Sequence, residues 1–182
     1  MSITSFNGIL PRIDPTAFVH PDAIIIGDVH IGPESSIWPG VVIRGDVNFI
    51  RIGTRTNVQD GSILHVARVT TERPEGFPLI LGDNITIGHN VVLHGCRVES
   101  GSMIAIGAIV LDGSVVGAGA LLGAGSLATP GSKIGPGELW IGSPARLLRP
   151  LTEKERLGLE DTNKSYAKLA KQYQLMESSN DP

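Results

Sequence analysis

Aliphatic residues recur along this chain in steps of six. Val19, Ile25, Ile31, Ile37 and Ile43 are evenly spaced, as are Ile52, Val58 and Leu64. The step returns at Leu81, Ile87 and Leu93, and again from Val98 through Ile104, Val110 and Val116 to Leu122. Four positions after most of these anchors stands a small or β-branched residue: Ala23, Val29, Ser35, Val41, Ser62, Val91, Ser102, Ala108, Ser114, Ala120, Ser126. A period of six fits neither a helix nor simple strand alternation, and it marks stacked coils of a parallel β-helix. Three hexads close one triangular coil, and neighbouring coils lie about 4.8 Å apart, the ordinary spacing of paired strands.

That geometry puts residues three steps apart one above another. Arg44 and His65 each follow their anchor by one residue, so they stack on one edge. If the segment between Leu64 and Leu81 is one step carrying an inserted loop, His94 lies directly above His65 and Asp60 directly below His89. Two imidazoles one coil apart can share a metal at the usual ~2.0–2.1 Å metal–nitrogen distance. His89 belongs to the neighbouring edge and cannot easily join them within one chain. A rotated copy can supply it, and three-fold symmetry repeats and closes such a contact. The candidate ligand set is therefore His65 and His94 from one subunit with His89 from the next. His20 and His30 fall outside these columns and read as solvated. Asp46, Gln59 and Asp60 have a second reading as caps on corner backbone groups, which is the reading of Asn57. Cys96 reads as a buried small hydrophobe.

The pattern also locates its own interruptions. Met1 to Phe18 read as a lead-in closing one end of the stack, which has unpaired backbone groups. The long step from Ile43 to Ile52 predicts a bulge near Val47–Ile50. Between residues 67 and 79 the hexads fail in a polar run with Arg68, Glu72, Arg73, Pro74, Glu75 and Pro78, which predicts a protruding loop beside His65. The five-residue step from Leu93 to Val98 predicts a slip near Cys96. Coils run to about Ile141 and end at Gly142, Ser143 and Pro144, so residues 1–149 form the β-helix domain. Residues 150–182 form a helical segment and tail. There Thr152 and Glu155 have capping-box spacing behind Leu151. Leu157, Tyr166, Leu169, Tyr173 and Met176 give an apolar stripe, interrupted or kinked near Gly158 to Asn163, which predicts one long or two shorter helices along the outside of the coil, and Glu177 to Pro182 read as a frayed tail.

Composition narrows the classes. Among 182 residues, 18% are charged, 4% are aromatic and 23 are glycine, which suits a solenoid with many tight corners. A net charge of −3 without a basic stripe argues against a nucleic-acid partner. The lone cysteine excludes an intramolecular disulfide and suits a reducing compartment. No signal peptide or membrane-spanning run is visible, so the expectation is a cytoplasmic protein. Arg44-Gly45-Asp46 spells a cell-adhesion tripeptide, which inside a coil is a chance match.

Several segments also carry a family resemblance. Ser36 to Asp46, Asn57-Val58-Gln59-Asp60, Leu64-His65, Gly88-His89 and Leu93-His94-Gly95-Cys96 resemble the gamma-class carbonic anhydrase family, and the chain looks most like its short bacterial branch. The resemblance spans nearly the whole chain. It implies a left-handed parallel β-helix with a C-terminal helix alongside, assembled as a homotrimer with a metal at each subunit interface. His65, His89 and His94 then match the metal ligands. Arg44 and Asp60 match an intersubunit ion pair whose network Asp46 joins, and Gln59 matches the residue that orients the nucleophile. Tyr166 resembles a tyrosine that reaches the site from the C-terminal helix. The implied reaction is reversible hydration of carbon dioxide to bicarbonate. Zn²⁺ is the expected metal, with Fe²⁺ or Co²⁺ also acceptable to three imidazoles.

This sequence departs from the best-studied members at two places. Val47 stands where they carry glutamate, and the short loop holds only Glu72 and Glu75 in place of a longer acidic loop. Proton release needs a titratable relay, so weak turnover is expected. The alternatives are a thioesterase or acyltransferase acting on a coenzyme A ester, and a metal-holding assembly protein without turnover. Acyltransferases of this architecture usually need one catalytic histidine, so the shared columns count against that class.

Overall fold

A computed structural model describes residues 2–179. The sixteen hexad anchors form the inner wall of a parallel β-solenoid of about eight turns with one C-terminal helix, the architecture that fits a left-handed β-helix. All of them are buried, and so are all the small residues four positions on. The buried serines of that set explain their polarity. Ser35, Ser62, Ser102 and Ser114 each donate a hydroxyl to a backbone carbonyl at a corner, satisfying a group that a hydrophobe would leave unpaired.

Three faces result. The first stacks the strands around Ile25, Ile43, Leu64, Leu93 and Val110. The second stacks those around Ile31, Ile52, Leu81, Val98 and Val116. The third stacks Val19, Ile37, Val58, Ile87, Ile104 and Leu122. The 11-residue strand Val42–Ile52 passes from the first face to the second. Its register jumps because Gly27 pairs Gly45 while Val29 pairs Ile50, so the expected bulge is present. At the open end, Ser2–Thr4 and Arg12–Ile13 both pair with Ile24–Ile31, as expected of a cap. The inserted loop is a hairpin excursion closed by an Ala67–Phe77 bridge, with Asn48 of the bulge donating to the carbonyls of Ala67 and Glu75.

At the other end the parallel coils stop at Gly142-Ser143-Pro144, where Glu138–Gly142 turns back into an antiparallel strand, Ala145–Pro150, that covers the last coil. The helix is one piece, Glu153–Ser179, the single long form of the two expected. Its capping box is formed, since Glu155 N–H donates to Thr152 Oγ1 and Thr152 N–H to Glu155 Oε2. Asn163, within the helix, docks it on the solenoid by donating its amide to the carbonyls of Arg55 and Ile85. Leu157, 52% exposed, stands outside the packed stripe, and Leu169 is exposed as well. The packed residues are Asn163, Tyr166, Ala170 and Tyr173, against Phe18 and Trp38 of the third face. Residues 177–179 are helical rather than a tail; 180–182 lie outside the described residues. Among the described residues no helix is long and apolar enough to cross a membrane.

Candidate metal centre

The first face carries the candidate residues along both of its long edges. At the edge where it leaves toward the second face, pairing of His94 with His65 in register stacks the two imidazoles. His65 Nδ1 and His94 Nε2 face each other at 3.1 Å, with ring centroids 5.0 Å apart. Two nitrogens on one tetrahedral ion, each ~2.0–2.1 Å from it, are separated by roughly 3.3 Å, so this pair is close to ligand spacing already. The remaining nitrogens are held by carboxylates: His65 Nε2 lies 3.0 Å from Asp46 Oδ1, and His94 Nδ1 lies 2.5 Å from Asp112 Oδ1. Arg44 donates to the other oxygen of Asp46, giving one ladder from Arg44 through Asp46, His65 and His94 to Asp112.

Electrostatics follow from that ladder. Burial pushes the Asp46 carboxyl up, but hydrogen bonds from Arg44 and His65 more than offset it, leaving its pKa below the ordinary 3.8. Burial lowers the pKa of His65 below 6.5, aided by Arg44 and opposed by its bond to Asp46. The imidazole is thus neutral at pH 7, the form that ligates metals.

At the opposite edge, where the chain enters the first face, the corner after Val58 presents Gln59 and Asp60. His89 stands one coil above, its Nδ1 2.9 Å from Asp60 Oδ2. Its Nε2 is turned outward, 3.5 Å from the hydroxyl of Tyr166 on the helix. Burial first, and Asp60 second, raise the Tyr166 pKa, so the phenol stays protonated. Gln59 is buried and donates its amide to Asn57 Oδ1; Asn57 donates in turn to Thr86 Oγ1 and to the Ile85 carbonyl.

The candidate residues therefore form two groups on one chain. Arg44, Asp46, His65 and His94 meet at one edge; Gln59, Asp60, His89 and Tyr166 meet at the other. Arg44 pairs with Asp46 within the chain, and no intrachain Arg44–Asp60 contact is present among the described residues. Nor, among them, does any cluster of three or more His, Cys, Asp or Glu residues in one chain suffice for a metal. Sequence reading missed Asp112. A register count could have found it, since Leu93 pairs Val110 and Asp112 therefore lies one coil above Gly95, beside His94.

Fold and edges together define a hexapeptide-repeat β-solenoid with paired histidine edges. The family model "Bacterial transferase hexapeptide (six repeats)" matches residues 11–45. A Methanocaldococcus jannaschii protein named "Probable carbonic anhydrase" is 46% identical over 81% of this chain and 89% of its own length. Gamma carbonic anhydrase 3 of Arabidopsis thaliana mitochondria is 53% identical over 88% of this chain, which spans 62% of that relative. The crystal structure of a hexapeptide transferase family protein from Anaplasma phagocytophilum superposes with a TM-score of 0.88 at 40% identity, covering 94% of this chain and 98% of that one. The chain belongs to the gamma carbonic anhydrase/hexapeptide transferase family.

Proposed function

We propose that the two edges are halves of one metal site, joined when three copies of the chain assemble, and that the site hydrates carbon dioxide reversibly to bicarbonate. The observation that carries this reading is chemical. Each of the three imidazoles has one nitrogen fixed on a carboxylate, the arrangement that orients histidine for a metal; the other nitrogens of His65 and His94 converge at 3.1 Å, and that of His89 lies at the opposite edge beside Tyr166. His65 and His94 of one copy and His89 of the next would hold the ion, with Zn²⁺ the best match to three imidazoles and an open position.

Assembly is supported by the face between the edges. Above the capping strand's Ser2 its outward column is aliphatic: Ile24, Val42, Ile63, Val92, Ile109 and Leu127. On the second face the same column reads Arg12, His30, Arg51, Ile80, Arg97, Val115 and Lys133, and on the third it lies under the helix. Burying an aliphatic stripe contributes roughly 25 cal/mol per Å² removed from water. Covering it with another copy aligns unlike edges. Asp60 and Arg44, both still substantially exposed in one chain, then become available to each other across the joint.

When bound, the metal would lower the pKa of its water toward 7 and so provide a nucleophile for carbon dioxide. The chain's own residues do the rest. With its amide N–H on Asn57, Gln59 has its oxygen left to accept a hydrogen bond and orient a reactant. Tyr166 offers a protonated hydroxyl beside His89. Arg44 and Asp46 hold His65 in its ligating orientation. Val47 and the short loop bring no carboxylate into hydrogen-bonding reach of the histidines among the described residues, which supports slow proton release and weak turnover.

The test is stopped-flow carbon dioxide hydration on protein of measured metal content, with coenzyme A thioester hydrolysis run beside it. Hydration above the buffer rate that disappears on chelation is expected. Full metal occupancy without hydration, or with thioester cleavage alone, rejects the carbon dioxide reading and leaves the site.

A further inference from the structure

We propose that Asp112 is a positioning residue for the metal, which selects the tautomer of His94 and is flanked by Phe77 of the loop of residues 67–79. The inference rests on the metal reading above. An imidazole can ligate only through a nitrogen that carries no proton, and free neutral histidine distributes its proton between both. At 2.5 Å from His94 Nδ1, the Asp112 carboxylate accepts a hydrogen bond and so holds the proton there. Nε2, the nitrogen facing His65, is left with its lone pair.

A second feature shows that this pairing is built rather than incidental. Gly95, adjacent to His94, has φ +51°, and a Cβ placed on it would come within 2.5 Å of Asp112 Oδ1 and 2.6 Å of Phe77 Cβ. Space at Gly95 is thus kept for the carboxylate. Phe77, at the returning end of the loop, lies over both Gly95 and Gly113, on either side of Asp112, with the Arg73 guanidinium 5.1 Å from its ring. Phe77 therefore flanks the pair on its backbone side, while the side chains themselves stay about a third exposed, 34% at His94 and 31% at Asp112. The loop carries Glu72 and Glu75 farther along the excursion, and neither has a hydrogen bond to a histidine among the described residues.

Apo and zinc-loaded full-length protein would be compared for wild type, Asp112→Ala and Asp112→Asn. Two quantities are read: the His94 tautomer in the apo protein by ¹H–¹⁵N NMR of the imidazoles, and zinc affinity by competition with a chromophoric chelator. Wild type should show Nδ1–H alone. Asp112→Ala should populate both tautomers and lose about 10–100-fold in zinc affinity, with circular dichroism and particle size unchanged. The asparagine variant, whose carbonyl still accepts from Nδ1–H, should recover part of both. Unchanged tautomer and affinity in the alanine variant would overturn the role of Asp112 while leaving the metal site. If wild type took up no zinc, the metal reading would fall, and the tautomer measurement alone would decide Asp112.

Discussion

The two histidine edges of the first face are built to different standards. On the exit edge, His65 and His94 are stacked by strand register, locked by Asp46 and Asp112, and only 18% and 34% exposed. On the entry edge, His89 has a single carboxylate, is 40% exposed, and depends on a separate element, the C-terminal helix, for cover. The solenoid alone specifies the first half of the site. The second half needs the helix and, in the proposed assembly, another chain. A metal shared between them then links chain association to helix docking and to the coil stack.

The largest test of this contrast is removal of the helix anchor. Trp38 packs at 5.3 Å from Phe18 and from Tyr173 and at 5.6 Å from Tyr166. Trp38→Ala should cost about 3–5 kcal/mol in denaturant unfolding. It should free Tyr166 from His89 while leaving the His65–His94 tautomers as they are in wild type. A perturbation of equal size at both edges would show that the helix supports them jointly. Next in size is Thr152→Ala, which removes the helix cap and should cost about 0.5–2 kcal/mol by the same measurement. The smallest effect concerns pH. His65 has a folded pKa below its unfolded 6.5, so in metal-free protein its contribution is fully present above pH 6.5. It is lost progressively as pH falls through that value toward the folded pKa, because the unfolded chain takes up the proton first. Denaturation midpoints at pH 7.5 and 5.5 should therefore differ less in His65→Gln than in wild type.

Much of this was readable from spacing. Six-residue steps work because each anchor enters the core and each coil repeats the last, so Leu64 and Leu93 alone dictate that His94 covers His65. The Asp60–His89 stack follows from Val58 and Ile87 in the same way. Spacing fails where a contact crosses between elements. Asp112 follows an ordinary anchor and gains meaning only beside His94 and Phe77. Asn163 looks like a helix breaker, yet its amide caps carbonyls of the solenoid. Spacing left one long or two shorter helices open at Gly158, and the helix runs through because that residue stands on an open surface where glycine costs only roughly 0.5–1 kcal/mol.

Whether one ion draws on two chains is tested most directly by mixing variants. His89→Ala chains and His94→Ala chains, each without bound metal alone, would be co-assembled in equal amounts and their metal counted by mass spectrometry. If each site takes one edge from each of two copies, random mixing restores roughly a quarter of the sites. Recovery of no metal at all would mean that every ligand comes from a single chain, and the shared-site account would be wrong.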